Sequence, residues 1–124
     1  MNSYEFVGGL KNYVYEHAAP NAIESLDRPD KDDSADFLRA ADWVKSLAPP
    51  DRVHLLRAMK LAAEDAIFGM LCVLDGVRVV ENSSDKSQFA LLAIRNLEID
   101  VITDVRGELL HDIFRGMVDS DEDS

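Results

Sequence analysis

The stretch that decides the fold is residues 51–80, DRVHLLRAMKLAAEDAIFGMLCVLDGVRVV. Taken as a helix of about 100° per residue, it has one broad apolar face made of Leu55, Leu56, Met59, Ala62, Ala63, Ala66, Ile67, Met70, Val73 and Leu74. The opposite side is polar at first and apolar later, and contains Arg57, Lys60, Glu64, Phe68, Leu71 and Cys72. A helix that is apolar all round is covered by other elements all round. We therefore predict that residues 61–74 form the buried centre of the core, in a segment shorter than the ~20 apolar residues that span a bilayer.

Length and charge indicate one acidic domain. The chain has 124 residues and a formal net charge of −11, and a single hydrophobic core is usual at roughly 100 to 150 residues. We predict a single globular domain over residues 1–118. Residues 119–124 contain four acidic residues and no basic one, so we expect a disordered acidic tail there. A second acid-rich segment covers residues 27–36.

Several classes of function are disfavoured by composition. None of the 13 Lys and Arg residues form a run, whereas nucleic-acid binding needs clustered cations, so we expect no nucleic-acid ligand. The N-terminal segment MNSYEFVGG lacks the basic and apolar regions of a secretory signal, which favours a cytoplasmic protein away from the membrane. The single Cys72 cannot form an internal disulfide or a Cys-rich zinc site. We expect no metal and no cofactor.

The rest of the chain adds helices before residue 51. A helical stripe over residues 3–17 should end at Pro20, because proline breaks the helical hydrogen-bond pattern. A second helix should begin at an N-cap on Asp33 or Ser34. The third and longest should begin near Asp51 and end near Asp75-Gly76, a dipeptide typical of turns.

After residue 87 the apolar period changes from helical to alternating. Residues 97–101 predict a strand, with Leu97, Ile99 and Val101 pointing inward and Glu98 and Asp100 pointing outward. Residues 89–94 would be its partner, joined through Arg95-Asn96, and an open hairpin edge would allow a homodimer. A closing helix is indicated by Leu109, Leu110, Ile113, Phe114 and Met117. The predicted fold is α+β: a mostly helical single domain with a central buried helix and a C-terminal β-hairpin followed by a closing helix.

Two segments, AAEDAIFGMLCVLDGVRVVE at 62–81 and GELLHDIF at 107–114, resemble a group of small uncharacterised bacterial proteins. The resemblance rests on Asp65, Asp75-Gly76, Glu81 and the triplet Leu110-His111-Asp112. It covers the C-terminal half and implies a helix, a hairpin and a closing helix. It implies no activity.

The carboxylates at the centre of the long helix are candidates for chemistry. Asp65 follows Glu64 where the helix changes from half-exposed to enclosed, and a desolvated carboxylate there would have a perturbed pKa. Perturbed carboxylates occur at active sites and also in structural ion pairs. A small enzyme, or an enzyme subunit, using Asp65, Glu64 and His111 in a pocket is one hypothesis. The three histidines show no metal-binding spacing.

The other hypothesis is a non-enzymatic acidic protein-binding domain. Glu98, Asp100, Asp104 and Glu108 fall within eleven positions that include one basic residue, Arg106. Such a group of carboxylates suits a basic partner protein, because complementary charge speeds association. By class-level analogy, small acidic immunity proteins inhibit cationic toxins in this way.

Overall fold

The computed structural model of the protein describes residues 1–103 and 106–122. In chain order the elements are helix α1 (Ser3–Leu10), a π-helical segment (Lys11–Tyr15), α2 (Glu16–Asp27), α3 (Ala35–Ser46), α4 (Pro49–Leu74), strands β1 (Leu92–Arg95) and β2 (Glu98–Val101), and α5 (Leu110–Glu122). The two strands form an antiparallel hairpin. The predicted α+β architecture, with a hairpin between a long central helix and a closing helix, is confirmed.

The first helical stretch is longer than predicted, because Pro20 does not end it. Asn2 caps α1 by accepting a hydrogen bond from the backbone N–H of Glu5 at 2.8 Å, and helix continues through the π-helical segment into α2. An interior proline costs a helix about 3 kcal/mol. The continuation buries Ala19 and brings Asp27 within 2.7 Å of Arg52 on α4, and these contacts oppose that cost.

Helices α3 and α4 begin close to the predicted caps. The Ser34 hydroxyl accepts a hydrogen bond from the N–H of Phe37 at 3.2 Å, which makes Ser34 the N-cap of α3. Helix α4 starts at Pro49 rather than Asp51, since the first N–H of a helix has no helical acceptor and proline is tolerated there. It ends as predicted, with Asp75 as C-cap and Gly76 at a φ of 78°.

The core lies where α1, the π-helical segment, α4 and α5 meet. Its buried members are Val7, Tyr15, Leu71, Ile102, Leu110, Ile113, Phe114 and Val118. On α4 the buried side contains Glu64, Gly69, Leu71 and Cys72, because α5 packs against that side. The prediction that the second half of α4 is covered all round is wrong: Met70 is 59% exposed.

The hairpin turns one residue later than predicted. Asn96 and Leu97 occupy the turn with φ of 50° and 69°, the two positive values that a two-residue type I′ turn requires. The prediction that Leu97 begins β2 and points inward is therefore wrong, and its side chain is 96% exposed. The register pairs Leu92 with Val101, Ala93 with Asp100, Ile94 with Ile99 and Arg95 with Glu98.

The acidic end of the chain is more ordered than predicted. Helix α5 continues to Glu122, and Asp121 forms an ion pair with Lys11 of the π-helical segment. The expectation of a disordered tail is thus contradicted over residues 119–122. Packing against a lysine offsets part of the mutual repulsion of the acids, a contact that composition alone does not reveal. Residues 123 and 124 lie outside the described residues.

Candidate functional site

The three residues of the enzyme hypothesis do not converge. Asp65 is exposed on α4. Glu64 is 6% exposed, and its Oε1 accepts a hydrogen bond from Arg115 Nη1 on α5 at 3.2 Å. Burial raises the pKa of the Glu64 carboxyl, and the nearby positive charge of Arg115 opposes that rise. His111 contacts Asp75 instead of either acid. Glu64 therefore belongs to a structural ion pair between α4 and α5.

The most enclosed polar cluster is built around Asp75, whose side chain is 4% exposed. Its carboxylate accepts hydrogen bonds from the backbone N–H groups of Leu110 at 3.1 Å and His111 at 2.9 Å. Its Oδ2 also lies 2.6 Å from His111 Nδ1. The first N–H groups of a helix lack helical acceptors and attract a negative charge. Asp75 thus joins the C-terminus of α4 to the N-terminus of α5.

The His111 imidazole is enclosed on three sides. Its Nδ1 faces Asp75, its Nε2 lies 3.3 Å from Asp112 Oδ1, and the Phe68 ring meets its own ring edge-on at a centroid distance of 5.4 Å. The Arg115 guanidinium covers Phe68, with Cζ 4.3 Å from the ring centroid. Within residues 1–103 and 106–122, both ring nitrogens are thus directed at carboxylates rather than at a hydroxyl or thiol that the imidazole could activate.

A cleft of about 400 Å³ opens beside this cluster, at the base of the hairpin. Ile102 and Leu110 are among the apolar residues that line it, and the polar lining comprises Asp75, Lys86, Ser87, Gln88, Thr103 and Glu108. Neither His111 nor Glu64 lines it. Of the three residues of the enzyme hypothesis, none is therefore among the described residues that line the cleft.

The four predicted binding carboxylates have different surroundings. Glu98 is exposed and lies directly across the hairpin from Arg95. Asp100 Oδ2 is 2.5 Å from the amino group of Met1, and Glu108 accepts a hydrogen bond from the Tyr4 hydroxyl, which is the main cause of the raised pKa of that phenol. Asp104 lies outside the described residues. The structure thus brings Asp100 and Glu108 together at the start of α1.

Opposed residues of an antiparallel pair lie on the same face of the sheet, so the register divides the hairpin into two faces. The inner face packs on the core through Leu91 and Ala93 beside the buried Ile102, and farther out it holds the Arg95–Glu98 pair. The outer face, called the aliphatic face below, consists of Leu92, Ile94, Ile99 and Val101.

The side chains of the aliphatic face are turned to solvent. Their exposed fractions are 47% for Leu92, 69% for Ile94, 60% for Ile99 and 56% for Val101. The prediction that Ile99 and Val101 point inward is therefore wrong. Alternation alone does not reveal which face is inner. The inner face instead contains the apolar residues Leu91, Ala93 and Ile102, which pack on the core.

Two hydrogen bonds extend the pairing of the two strands at the base of the hairpin, and one ion pair links the hairpin to the first residue of the chain. The N–H of Ile102 donates to the carbonyl of Leu91 at 2.8 Å, and the N–H of Leu91 donates to Thr103 Oγ1 at 3.0 Å. The ion pair between Met1 and Asp100 lies on the inner face. The hairpin contacts the rest of the molecule through its inner face, by this ion pair and by the packing of Leu91, Ala93 and Ile102 on the core.

Comparison of the chain with protein-family models, curated proteins and solved structures finds no match. The resemblance to small uncharacterised bacterial proteins stays a prediction. Over residues 1–103 and 106–122, no helix combines the length and apolar character needed to cross a membrane. In the same residues no group of three or more His, Cys, Asp or Glu side chains is arranged to hold a metal ion.

Proposed function

We propose that the protein is a non-enzymatic protein-binding domain whose partner contacts the aliphatic face of the hairpin. The observation that supports this most is the exposure of Leu92, Ile94, Ile99 and Val101 side by side on one face of a two-stranded sheet. Contiguous exposed apolar surface rimmed by polar residues is typical of protein-interaction sites.

Covering this face would supply useful binding free energy. Complete burial of one Leu, Ile or Val side chain is worth about 1.5–3 kcal/mol. Applied to the fractions that are exposed, this gives roughly 3–7 kcal/mol for the four side chains before the costs of association are subtracted. That amount supports a specific complex only with added polar or charged contacts at the rim.

Acidic residues are suited to supply those contacts. Glu98 is exposed near the turn, on the opposite face of the narrow hairpin but next in sequence to Ile99 of the aliphatic face. Asp100 and Glu108 are paired with Met1 and Tyr4 near the start of α1. With a formal net charge of −11, the chain favours a basic partner over nucleic acid or an anionic membrane surface, since charge complementarity speeds encounter. The proposal includes an immunity-type inhibitor of a basic protein, acting in the cytoplasm.

The enzyme hypothesis has less support. Asp65 is exposed, Glu64 is bonded to Arg115, and His111 is bonded to Asp75. These contacts stabilise the α4–α5 junction, and a structural role explains each of them without a substrate.

Affinity capture with matched variants tests the proposal. The bait proteins are the wild type, the double variant Ile94→Ser/Ile99→Ser and the control Val53→Ser, which changes a 50% exposed valine on α4. All three should fold, because exposed substitutions usually change stability by less than ~0.5 kcal/mol. A genuine partner should be retained by the wild type and by Val53→Ser and lost from the hairpin variant.

A fourth bait, Glu98→Lys, tests the charge component. It should slow association with the captured partner and flatten the salt dependence of the rate, while leaving dissociation nearly unchanged. If the partner binds the hairpin double variant as tightly as the wild type, the aliphatic face is not the binding surface and the proposal fails.

A further inference from the structure

The aliphatic face has the properties of a self-complementary surface. Its four side chains, Leu92, Ile94, Ile99 and Val101, contain no charge and no hydrogen-bonding group, so two identical faces can stack without burying an unpaired polar side chain. Stacking about a twofold axis places the same patch on both sides of the interface, which is the isologous arrangement of most homodimers.

We infer that a second copy of this chain covers the aliphatic face, with the two hairpins packed face to face. This inference rests on the proposed function, because both use the aliphatic face. The second copy occupies that face when no other partner is bound. A different partner would then have to displace the second copy, so that dimerisation would limit access to the face.

The distribution of charge permits this approach although the chain is acidic. On the inner face of the hairpin, Glu98 lies opposite Arg95, and Asp100 is paired with the amino group of Met1. The charged residues of the two strands therefore all lie on the inner face, and the aliphatic face itself carries no charge. The two densest groups of acids, residues 27–36 and 119–122, belong to the α2–α3 connection and to the end of α5.

Face-to-face packing also keeps the hairpin acids apart. Packed sheets lie about 10 Å from each other, and Glu98 and Asp100 point away from the interface on both copies. Like charges across the dimer would thus be separated by two layers of sheet and largely screened at physiological salt.

Edge-to-edge pairing, the mode suggested by the open hairpin, is less favourable. In a two-residue type I′ hairpin Arg95 and Glu98 exchange hydrogen bonds, so Ile99 and Val101 direct their backbone groups to the outer edge of β2. Antiparallel pairing of β2 with its copy would set Asp100 opposite Asp100 in the register centred on residue 100, and Glu98 opposite Asp100 in the register centred on residue 99. Directly opposed like charges are destabilising. Pairing through β1 would leave the aliphatic face uncovered.

The size of the face sets the expected strength. The exposed parts of its four side chains, with Leu97 at the tip, amount to roughly 400–550 Å² per copy, compared with about 800 Å² per partner in a standard interface. We therefore expect a weak dimer, with a dissociation constant of about 10 µM to 1 mM.

Sedimentation equilibrium over about 5 µM to 1 mM measures this directly. The wild type should pass from monomer to dimer across the series. Ile94→Ser/Ile99→Ser should weaken the dimer at least ~30-fold, because each substitution occurs twice in a twofold interface. The control Val53→Ser, which changes a half-exposed valine outside the hairpin, should dimerise like the wild type. Circular dichroism melting confirms that each variant is folded.

Methyl NMR on the same dilution series locates the interface. The methyl signals of Ile94 and Ile99 should move with concentration, whereas that of the buried Ile113 should stay constant. A wild type that remains monomeric at 1 mM, or a double variant that dimerises as strongly as the wild type, would overturn the inference. The proposed function is judged separately: it stands if the monomeric double variant still loses the captured partner, and it fails if that variant keeps it.

Discussion

Replacing Asp75, the C-cap of α4, with alanine should destabilise the protein more than any single acid-to-alanine change within α4. The carboxylate accepts two backbone hydrogen bonds at the start of α5 and faces His111 Nδ1 at 2.6 Å. Loss of an N-cap alone costs about 1 kcal/mol, and a buried hydrogen bond to a charged group is worth about 1.5–3 kcal/mol. Allowing for partial rescue by water, we expect the free energy of unfolding to fall by about 3 kcal/mol.

Urea denaturation followed by circular dichroism measures this loss, and Asp65→Ala is the matched control. Asp65 lies on the same helix but is exposed, so its replacement should cost less than about 0.5 kcal/mol. Asp75→Asn should fall between the two, since an amide oxygen still accepts backbone hydrogen bonds but carries no charge for the helix N-terminus. Equal losses for Asp75→Ala and Asp65→Ala would refute the role given to Asp75 as the joint between α4 and α5.

Three further changes test the core and its ion pairs. Phe114→Ala, at a fully buried site, should lower the free energy of unfolding by about 3–5 kcal/mol. Tyr13→Ala, at a site that is 81% exposed, should lower it by under ~0.5 kcal/mol. Similar urea midpoints for the two variants would contradict the assigned core. Burial raises the pKa of Glu64 in the folded state. The free-energy cost of ionising the buried carboxyl is therefore absent below the unfolded pKa and complete above the folded pKa, so the stability of the wild type relative to Glu64→Gln should decrease between pH 4 and pH 8. An increase would contradict the burial of Glu64. Asp121→Asn removes the ion pair that is the main cause of the raised pKa of Lys11. It should lower the free energy of unfolding by under ~1 kcal/mol at pH 7, by less at 1 M salt and by less as the pH rises through the folded pKa of Lys11. A loss of stability unaffected by salt would contradict an electrostatic contact.

The helices were predictable where local chemistry decides them. Ser34 caps α3 because its hydroxyl reaches a free N–H of the first turn, and Gly76 ends α4 because it adopts a positive φ. Both effects depend on neighbouring residues alone. Pro20 shows the limit, since the preference of proline to end a helix is overridden by packing against α3 and α4.

Which side of α4 is buried could not be read from its own sequence. Both sides of its second half are apolar, so the buried side depends on where α5 packs. The position of α5 is fixed by two long-range contacts: Asp75 with His111, separated by 36 positions in the sequence, and Glu64 with Arg115, separated by 51. The sequence pointed to a carboxylate at 64–65, but it favoured Asp65, whereas the structure buries Glu64.

The hairpin was predictable in existence but not in orientation. A one-residue shift in the turn, from Arg95-Asn96 to Asn96-Leu97, moved Leu97 from the strand into the turn. Period-two alternation identifies two faces but not which of them packs on the helices. The candidate surface consequently changed from the carboxylates alone to an aliphatic face, with Glu98 and Asp100 on the opposite face of the same hairpin.

Measuring the exposure of Ile94 and Ile99 in the monomer tests most directly whether the aliphatic face is open to a partner. Methyl NMR with a soluble paramagnetic agent, on dilute protein well below 10 µM where the proposed dimer has dissociated, reports how close each methyl group lies to solvent. We expect strong attenuation of the Ile94 and Ile99 signals and little attenuation for Ile102 and Ile113, each 3% exposed. Protection of Ile94 and Ile99 at that dilution would show that the hairpin docks with its aliphatic face on the helices, and the proposed binding surface would not exist.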